Sequence, residues 1–134
     1  MIRKIIISFF IFLTFLSCEK PAPVFDSQRA FLDLVAQCDF GPRNPGSEGH
    51  RKTKKYILDL MQKEADSVIA QDFSFESALE KKIHNGTNII ARFNPSNATQ
   101  VLIGAHWDTR PFADRDENRE NFKTPILGAN DGAS

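Results

Sequence analysis

The stretch QVLIGAHWDTRP, residues 100–111, decides how the rest of the sequence is interpreted. Its first half, residues 100–105, is almost entirely apolar and predicts a strand buried on both faces at the centre of a sheet. His106 and Asp108 follow directly, and because they are two residues apart, their side chains project to the same side of extended backbone. Open α/β sheets form their ligand crevice at the carboxyl ends of the strands, where this pair stands.

A second polar element, LGANDGAS at residues 127–134, completes a candidate metal site. Gly128 and Gly132 bracket Asp131 and permit a tight turn and a close approach of backbone to a bound ion. The small residues after Asp131 favour the start of a packed helix, near which a carboxylate stays ionised. Imidazole and carboxylate are groups that bind zinc or orient its ligands, so both elements together favour a zinc site. Each element alone also fits a simpler interpretation, a His–Asp hydrogen bond in a surface loop and an aspartate in a helix cap.

The chain upstream of this stretch predicts two helices. Asp26 or Ser27 can cap a helix that runs to about Cys38, and Ser47 can cap a second helix that runs to about Ala65. Residues 39–49, DFGPRNPGSEG, contain three glycines and two prolines and therefore predict a loop. The basic residues of the second helix predict a solvated face.

Two strands are predicted after the helices, at residues 68–75 and 88–93, and a turn at residues 94–97. We expect residues 88–93 and 100–105 to be antiparallel neighbours joined by that turn. Helices that precede and flank such strands predict an α/β fold of three layers around a mixed sheet. Of the remaining polar residues, Asp114 and Asp116 are candidate calcium ligands or rim residues in a solvated loop. His50 and His84 are predicted to be surface or capping residues.

Residues 1–18, MIRKIIISFFIFLTFLSC, predict a signal peptide. The twelve-residue hydrophobic stretch at 5–16 follows Arg3 and Lys4 and, at about 18 Å as a helix, is shorter than the bilayer core of ~30 Å. Leu16-Ser17-Cys18 resembles a bacterial lipoprotein box, which predicts lipidation of Cys18, a tether at residues 18–25 and a folded part at residues 26–134. An ordinary secretory signal and an uncleaved anchor are the alternatives. We expect the protein in the bacterial cell envelope, lipid-anchored and facing the periplasm.

Composition excludes one class of partner. The 17 basic and 17 acidic residues give a formal net charge of zero, so the chain lacks the basic field that non-specific nucleic-acid binding requires. With 41% hydrophobic and 25% charged residues, the chain is typical of a globular protein. Cys18 and Cys38 are the two cysteines, and lipidation of Cys18 would leave Cys38 without a disulfide partner, predicting a small buried side chain there.

The run GAHWDTRPFADRD…TPILGANDGAS resembles the catalytic domain of peptidase family M28, and within it the bacterial glutaminyl-peptide cyclotransferases. The upstream stretches RNPGSEGHRKTKKYI and NIIARFNP are part of the same resemblance, which covers about residues 40–134. It implies the N-terminal part of a three-layer α/β/α zinc-exopeptidase-like domain that is truncated in this chain.

Matched residue by residue, the resemblance implies a role for each of the three polar side chains. Asp131 matches the family's metal-ligating aspartate. His106 matches a ligand of the two-zinc aminopeptidases, whereas the corresponding histidine of the single-zinc cyclotransferases lies near the metal without binding it. Asp108 matches the carboxylate that orients this histidine, and we count it as the candidate catalytic residue.

The resemblance implies a zinc-dependent glutaminyl-peptide cyclotransferase that converts N-terminal glutamine to pyroglutamate and releases ammonia. Its substrates would be the N-termini of peptides or proteins, and its membrane contact the lipid anchor. One zinc is expected for a cyclotransferase and two for an aminopeptidase of the family. The alternatives are that aminopeptidase and a non-catalytic or degenerate lipoprotein. Since the family's further catalytic glutamates and final histidine have no match here, we expect this 134-residue chain alone to be inactive.

Overall fold

The computed structural model describes residues 22–132, and the predicted signal peptide, the lipidation site Cys18 and the first half of the tether lie outside them. Its regular elements, in chain order, are helix α1, Ser27–Asp39; helix α2, Glu48–Glu64; strand β1, Ser67–Glu76; strand β2, Ile83–Arg92; and a short 3-10 helix, Arg119–Lys123. The α/β class predicted from the sequence is confirmed. No helix among residues 22–132 is long and apolar enough to cross a bilayer.

Both long helices begin where their capping residues predict. The Asp26 carboxylate accepts a hydrogen bond from the Arg29 backbone N–H at 2.9 Å, and the Ser47 hydroxyl accepts one from the His50 N–H at 3.0 Å. Each side chain therefore satisfies one of the free N–H groups in the first helical turn. The two helices are joined by the glycine- and proline-rich segment 40–47, as expected.

Strands β1 and β2 form a two-stranded antiparallel sheet without a bulge, in register from Ser67 opposite Arg92 to Glu76 opposite Ile83. Helix α2 packs against this hairpin, and the Lys54 ammonium group lies 2.8 Å from the Asp72 carboxylate of β1. The turn predicted at residues 94–97 is present, closed by a hydrogen bond from the Asn97 N–H to the Asn94 carbonyl.

The buried side chains of residues 22–132 are polar or charged. No hydrophobic side chain in this range is buried, whereas Arg43, His50, Thr53, Thr87 and Thr109 are, with at most 7% of each exposed. The apolar side of α2 is half-buried against the hairpin, and Cys38, predicted to be buried, is also only half-buried.

The prediction of a buried strand at residues 100–105 is wrong for this structure. The segment forms no strand, does not pair with β2, and exposes Val101, Leu102 and Ile103 by 82, 96 and 88%. A strand is stable only when neighbouring backbones accept and donate its hydrogen bonds, and β1 is the sole strand paired with β2 within residues 22–132. The apolar run carries the strand signal, but no partner for it lies in the described part of the chain.

Tyr56 offers a direct check of the contact between the two helices. Its hydroxyl donates to the Asp33 carboxylate of α1 at 2.6 Å, and this hydrogen bond, followed by burial and the carboxylate charge, raises the pKa of Tyr56 to about 12 from 10.0. Because Tyr56 is the single tyrosine, the phenolate absorbance of the whole chain reports it alone.

We expect the phenolate absorbance to rise with a midpoint near pH 12, and this midpoint to return towards pH 10.0 in the Asp33→Asn variant. The folded state favours the neutral phenol. The stabilisation from this contact is therefore fully present below pH 10 and is lost as the pH rises through about 12. A midpoint at 10.0 in the unaltered chain would contradict the contact.

Candidate active site

Hydrogen bonds connect the segment 106–109 to strand β2 and to the loop between the helices. The Trp107 indole N–H donates to the Thr87 carbonyl of β2 at 3.2 Å. Buried Thr109 pairs with Arg43, whose N–H donates to the threonine hydroxyl at 3.0 Å and whose carbonyl accepts from the Thr109 N–H at 3.3 Å. His106 and Asp108 are therefore held in place although the segment forms no regular strand.

The three predicted site side chains come together. The His106 Nε2 atom lies 2.7 Å from the Asp131 Oδ1 atom, across 25 positions of sequence. On the other side of the ring, Nδ1 lies 3.1 Å from the Asp108 carbonyl oxygen and 3.5 Å from the Asp108 carboxylate. Asp108 thus faces the histidine as expected, although its main-chain oxygen makes the shorter contact.

The surroundings of His106 favour its protonated form. Burial lowers the pKa of the imidazole, but the hydrogen bonds to the Asp108 carbonyl and the Asp131 carboxylate and the charges of both aspartates outweigh it, so the pKa is raised from 6.5. Since both ring nitrogens face oxygen acceptors, the imidazolium ion can donate to both. The site is open to solvent, because the His106 and Asp131 side chains are 58 and 76% exposed.

The two glycines around Asp131 permit this juxtaposition, as the sequence indicates. Gly128 has a φ of +63°, and a Cβ atom there would lie 2.5 Å from both the Asp131 carbonyl and the Thr109 side chain. Gly132 has a φ of +92°, and its Cβ would lie 2.6 Å from the Asp108 carbonyl. Only glycine permits both this backbone conformation and this close approach. The helix predicted to follow Asp131 lies outside the described residues.

The donor atoms fit zinc in type but not in number. Imidazole nitrogen and carboxylate oxygen are ordinary zinc ligands, and a protein supplies three or four of them. Within residues 22–132, no group of three or more His, Cys, Asp or Glu side chains is arranged to hold a metal ion. His106 and Asp131 can therefore form part of a zinc site, and its other ligands are not among these residues.

The loop carboxylates have internal partners. Asp114 pairs with the Arg110 guanidinium group, and Asp116 accepts hydrogen bonds from the Asn118 N–H at 2.8 Å and the Asn121 side chain at 3.2 Å. Asp116 is exposed and Asp114 is half-buried. Both carboxylates thus hold the loop in shape and do not converge on a calcium site.

Two histidines differ from their predicted environments. His50 is not a surface residue: it is 7% exposed, and its ring stacks on that of Trp107 with centroids 4.4 Å apart. His84 lies in β2 with its side chain only 14% exposed, and its Nε2 atom lies 2.8 Å from the Glu80 carboxylate. The position of His50 follows from the arrival of Trp107, 57 residues later, which no local sequence signal indicates.

Arg43 is the residue near the site that the sequence analysis did not identify. It is completely buried, and its guanidinium group donates to the carbonyls of Trp107 at 2.9 Å, Leu127 at 2.7 Å and Gly128 at 2.8 Å. A fourth, longer bond of 3.4 Å reaches the Gln37 carbonyl in the last turn of α1. The arginine stands between Pro42 and Asn44 in a loop-like sequence, and its place in RNPGSEG is the only signal that could have singled it out.

The His50–Trp107 stack predicts a pH-dependent fluorescence signal. Burial lowers the pKa of His50 below 6.5; Asp108 opposes this, and the charges of Lys54, Arg51 and His84 add to it. The folded state therefore binds this proton less readily than the unfolded state, and stability falls as the pH drops below 6.5 towards the lowered pKa.

We expect the emission of Trp107, the single tryptophan, to fall with a midpoint below 6.5, when a charged imidazole faces its ring. His50→Phe retains an aromatic ring and should abolish this step. A step that persists in this variant would belong to another group, such as His106, and would contradict the prediction.

The sequence and the fold were compared with known proteins. The sequence model described as Peptidase family M28 matches residues 88–134, which include His106, Asp108 and Asp131. A glutaminyl cyclase of Bacteroides thetaiotaomicron, solved with bound N-acetylhistamine, is 38% identical with a TM-score of 0.78. Over these residues the chain is similar to peptidase family M28.

Other solved M28-like structures carry different names. A leucine aminopeptidase precursor of Bacteroides thetaiotaomicron is 38% identical and a Zn-dependent exopeptidase of Parabacteroides distasonis 32% identical, each with a TM-score of 0.78. In all three comparisons the match covers 84% of this chain and 38% of the other. The chain thus spans 38% of the length of these relatives. No curated protein matches.

These comparisons confirm the resemblance drawn from the GAHWDTRP and LGANDGAS stretches, and with it the fold class. The described residues correspond to part of a zinc-exopeptidase-like M28 domain. The relatives are enzymes, and the zinc dependence named for one of them agrees with the donor types brought together here.

Proposed function

We propose that the whole protein is a glutaminyl-peptide cyclotransferase that requires zinc. The observation that carries the proposal is the convergence of His106, Asp108 and Asp131 at one point, with 2.7 Å between the first and the last. The 38% identity to a glutaminyl cyclase supports the choice of reaction, as do the HWDTRP and FNP sequences.

The described residues would hold only part of the metal site. Asp131 would be a ligand, and His106 would be a second ligand only if two zinc ions are bound. When bound, zinc would supply Lewis acidity at the side-chain carbonyl of the substrate glutamine. Asp108 would orient the His106 ring from its Nδ1 side, and His106 would fix the Asp131 carboxylate from its Nε2 side.

The proposed reaction is balanced without a co-reactant. The α-amino nitrogen of the N-terminal glutamine forms a bond to the side-chain carbonyl carbon, and the carbon–nitrogen bond of the carboxamide breaks. The proton lost by the α-amine leaves with the carboxamide nitrogen as ammonia. A carboxylate placed beside the amine would move that proton.

The test is the product formed from a peptide that begins with glutamine. We expect release of ammonia and a peptide that keeps all its residues but has a blocked N-terminus. The matched control is the same peptide with its α-amine acetylated, which lacks the nucleophile and should be unchanged. Release of free glutamine would reject the cyclotransferase.

An aminopeptidase with two zinc ions is the second candidate, because one relative is named a leucine aminopeptidase precursor and because His106 lies beside Asp131 as a second metal ligand would. The number of zinc ions per chain, measured by elemental analysis of the whole protein, separates the candidates. One ion supports the cyclotransferase and two support the aminopeptidase. No bound zinc and no product would favour a non-catalytic lipoprotein.

We further propose that the protein is anchored to the bacterial envelope through a lipid on Cys18 and acts there on peptide or protein N-termini. The support is the sequence of residues 1–18, in which a basic start and a hydrophobic stretch precede Leu-Ser-Cys. Growth with a labelled fatty acid should label the protein, and Cys18→Ser should abolish the label. Equal labelling of the variant would reject the anchor.

A further inference from the structure

We infer that Arg43 is a positioning residue that fixes the Asp131 segment against the His106 segment. Its guanidinium group is bonded to both segments at once, through the Trp107 carbonyl on one side and the Leu127 and Gly128 carbonyls on the other. Trp107 lies between His106 and Asp108, and Gly128 is three positions before Asp131. The inference concerns geometry and rests on the proposed function only for the effect on turnover.

The burial of Arg43 makes this arrangement specific. The residue has no exposed surface, and within residues 22–132 no carboxylate pairs with its guanidinium group. A buried cation is strongly unfavourable unless its donors are satisfied, and here carbonyl oxygens satisfy four of them. One of these oxygens, on Gln37, lies in the last turn of α1, where the helix carries partial negative charge.

Moving either segment would leave donors of this buried cation without partners. The distance between the segments is therefore set by the planar guanidinium group, whose Nε atom serves one segment and whose terminal nitrogens serve the other. The backbone of Arg43 also makes two hydrogen bonds to Thr109, which further fix the segment that contains His106. His106 also joins the two segments, through its contact with the Asp131 carboxylate.

Arg43→Lys is the decisive substitution, because it keeps the charge but replaces a planar fork by a single nitrogen. The readout is the nuclear Overhauser effect between the His106 Hε1 proton and the Gly132 α-protons. A Cβ atom built on Gly132 would lie 3.2 Å from the His106 Cε1 atom, so these protons are close in the unaltered chain. We expect the effect to be lost in Arg43→Lys.

A general loss of structure would give a different result from a loss of position. The contact between Phe40 and Tyr56, with ring centroids 5.5 Å apart, and the cross-strand contacts of β1 and β2 should persist in Arg43→Lys. Arg51→Lys is the matched control, since Arg51 is exposed and pairs with Glu48 on the surface, and it should change none of these signals. A retained His106–Gly132 contact in Arg43→Lys would overturn the inference.

A second measurement needs no variant and decides the matter if Arg43→Lys does not fold. In the unaltered chain, the Nε–H proton of Arg43 should exchange with solvent at least about 100-fold more slowly than that of Arg51, because it is buried and hydrogen-bonded. Equal exchange rates would overturn the inference.

In the whole protein, we expect Arg43→Lys to lower kcat for a glutamine-initiated peptide with KM changed less than about twofold. Equal losses in kcat and in bound zinc with the His106–Gly132 contact intact would contradict a positioning role. If the unaltered protein shows no cyclotransferase activity, the proposed function fails, and the two magnetic resonance measurements still decide the role of Arg43.

Discussion

Asp131→Asn is expected to reduce turnover of a glutamine-initiated peptide by the whole protein at least about 100-fold, which corresponds to about 2.7 kcal/mol of transition-state stabilisation. The substitution preserves the shape of the side chain but removes its charge. A neutral amide is a poor zinc ligand, and it also removes the anion that lies 2.7 Å from the His106 Nε2 atom. The bound zinc per chain should fall together with turnover.

The matched control is Asp116→Asn, at an exposed aspartate whose hydrogen bonds to Asn118 and Asn121 an amide oxygen can also accept. It should leave both turnover and bound zinc unchanged. If Asp131→Asn kept turnover within about tenfold and zinc at the level of the control, Asp131 would not be a metal ligand. The 2.7 Å contact with His106 would then be only an exposed ion pair, which is worth little to stability.

The sequence predicts those parts of this fold that depend on near neighbours. Asp26 and Ser47 cap the helices through N–H groups three residues away, so both helix starts are confirmed. The glycines around Asp131 likewise predict a close backbone approach, although they do not show which residues lie on the opposite side. The convergence of His106 with Asp131 could be expected because both carry zinc-binding groups in elements after one apolar run, and because the family resemblance places them in one site.

What the sequence could not predict depends on partners far away along the chain. Arg43 has the local sequence of a solvated loop, but residues 64 to 85 positions later supply the carbonyls that bury it. His50 is an ordinary histidine in the first turn of a helix until Trp107 covers it. The run at residues 100–105 has the composition of a central strand, but composition does not supply the neighbouring backbone that a strand requires.

The fold itself is most sensitive at Gly49, in the first turn of α2. Gly49→Ala is expected to lower the free energy of unfolding by about 3 kcal/mol or more. A Cβ atom there would lie 2.3 Å from the Pro42 carbonyl oxygen, 2.8 Å from that of Gly41 and 2.9 Å from that of Phe40. All three atoms belong to the backbone of the loop that carries Arg43, so they cannot rotate away.

Helix propensity alone gives the opposite sign, since alanine is favoured over glycine within a helix by about 1 kcal/mol. The steric conflict is larger and should decide the result, which chemical denaturation of the 134-residue chain can measure. Gly104→Ala is the matched control, because its Cβ atom would meet no heavy atom within 4 Å. At Gly86 the conflict is with the Phe73 ring, which is 43% exposed and can turn aside, so Gly86→Ala should cost less than Gly49→Ala. A stabilised Gly49→Ala variant would mean that α2 does not press against this loop, and the loop could then not hold Arg43 beneath the site.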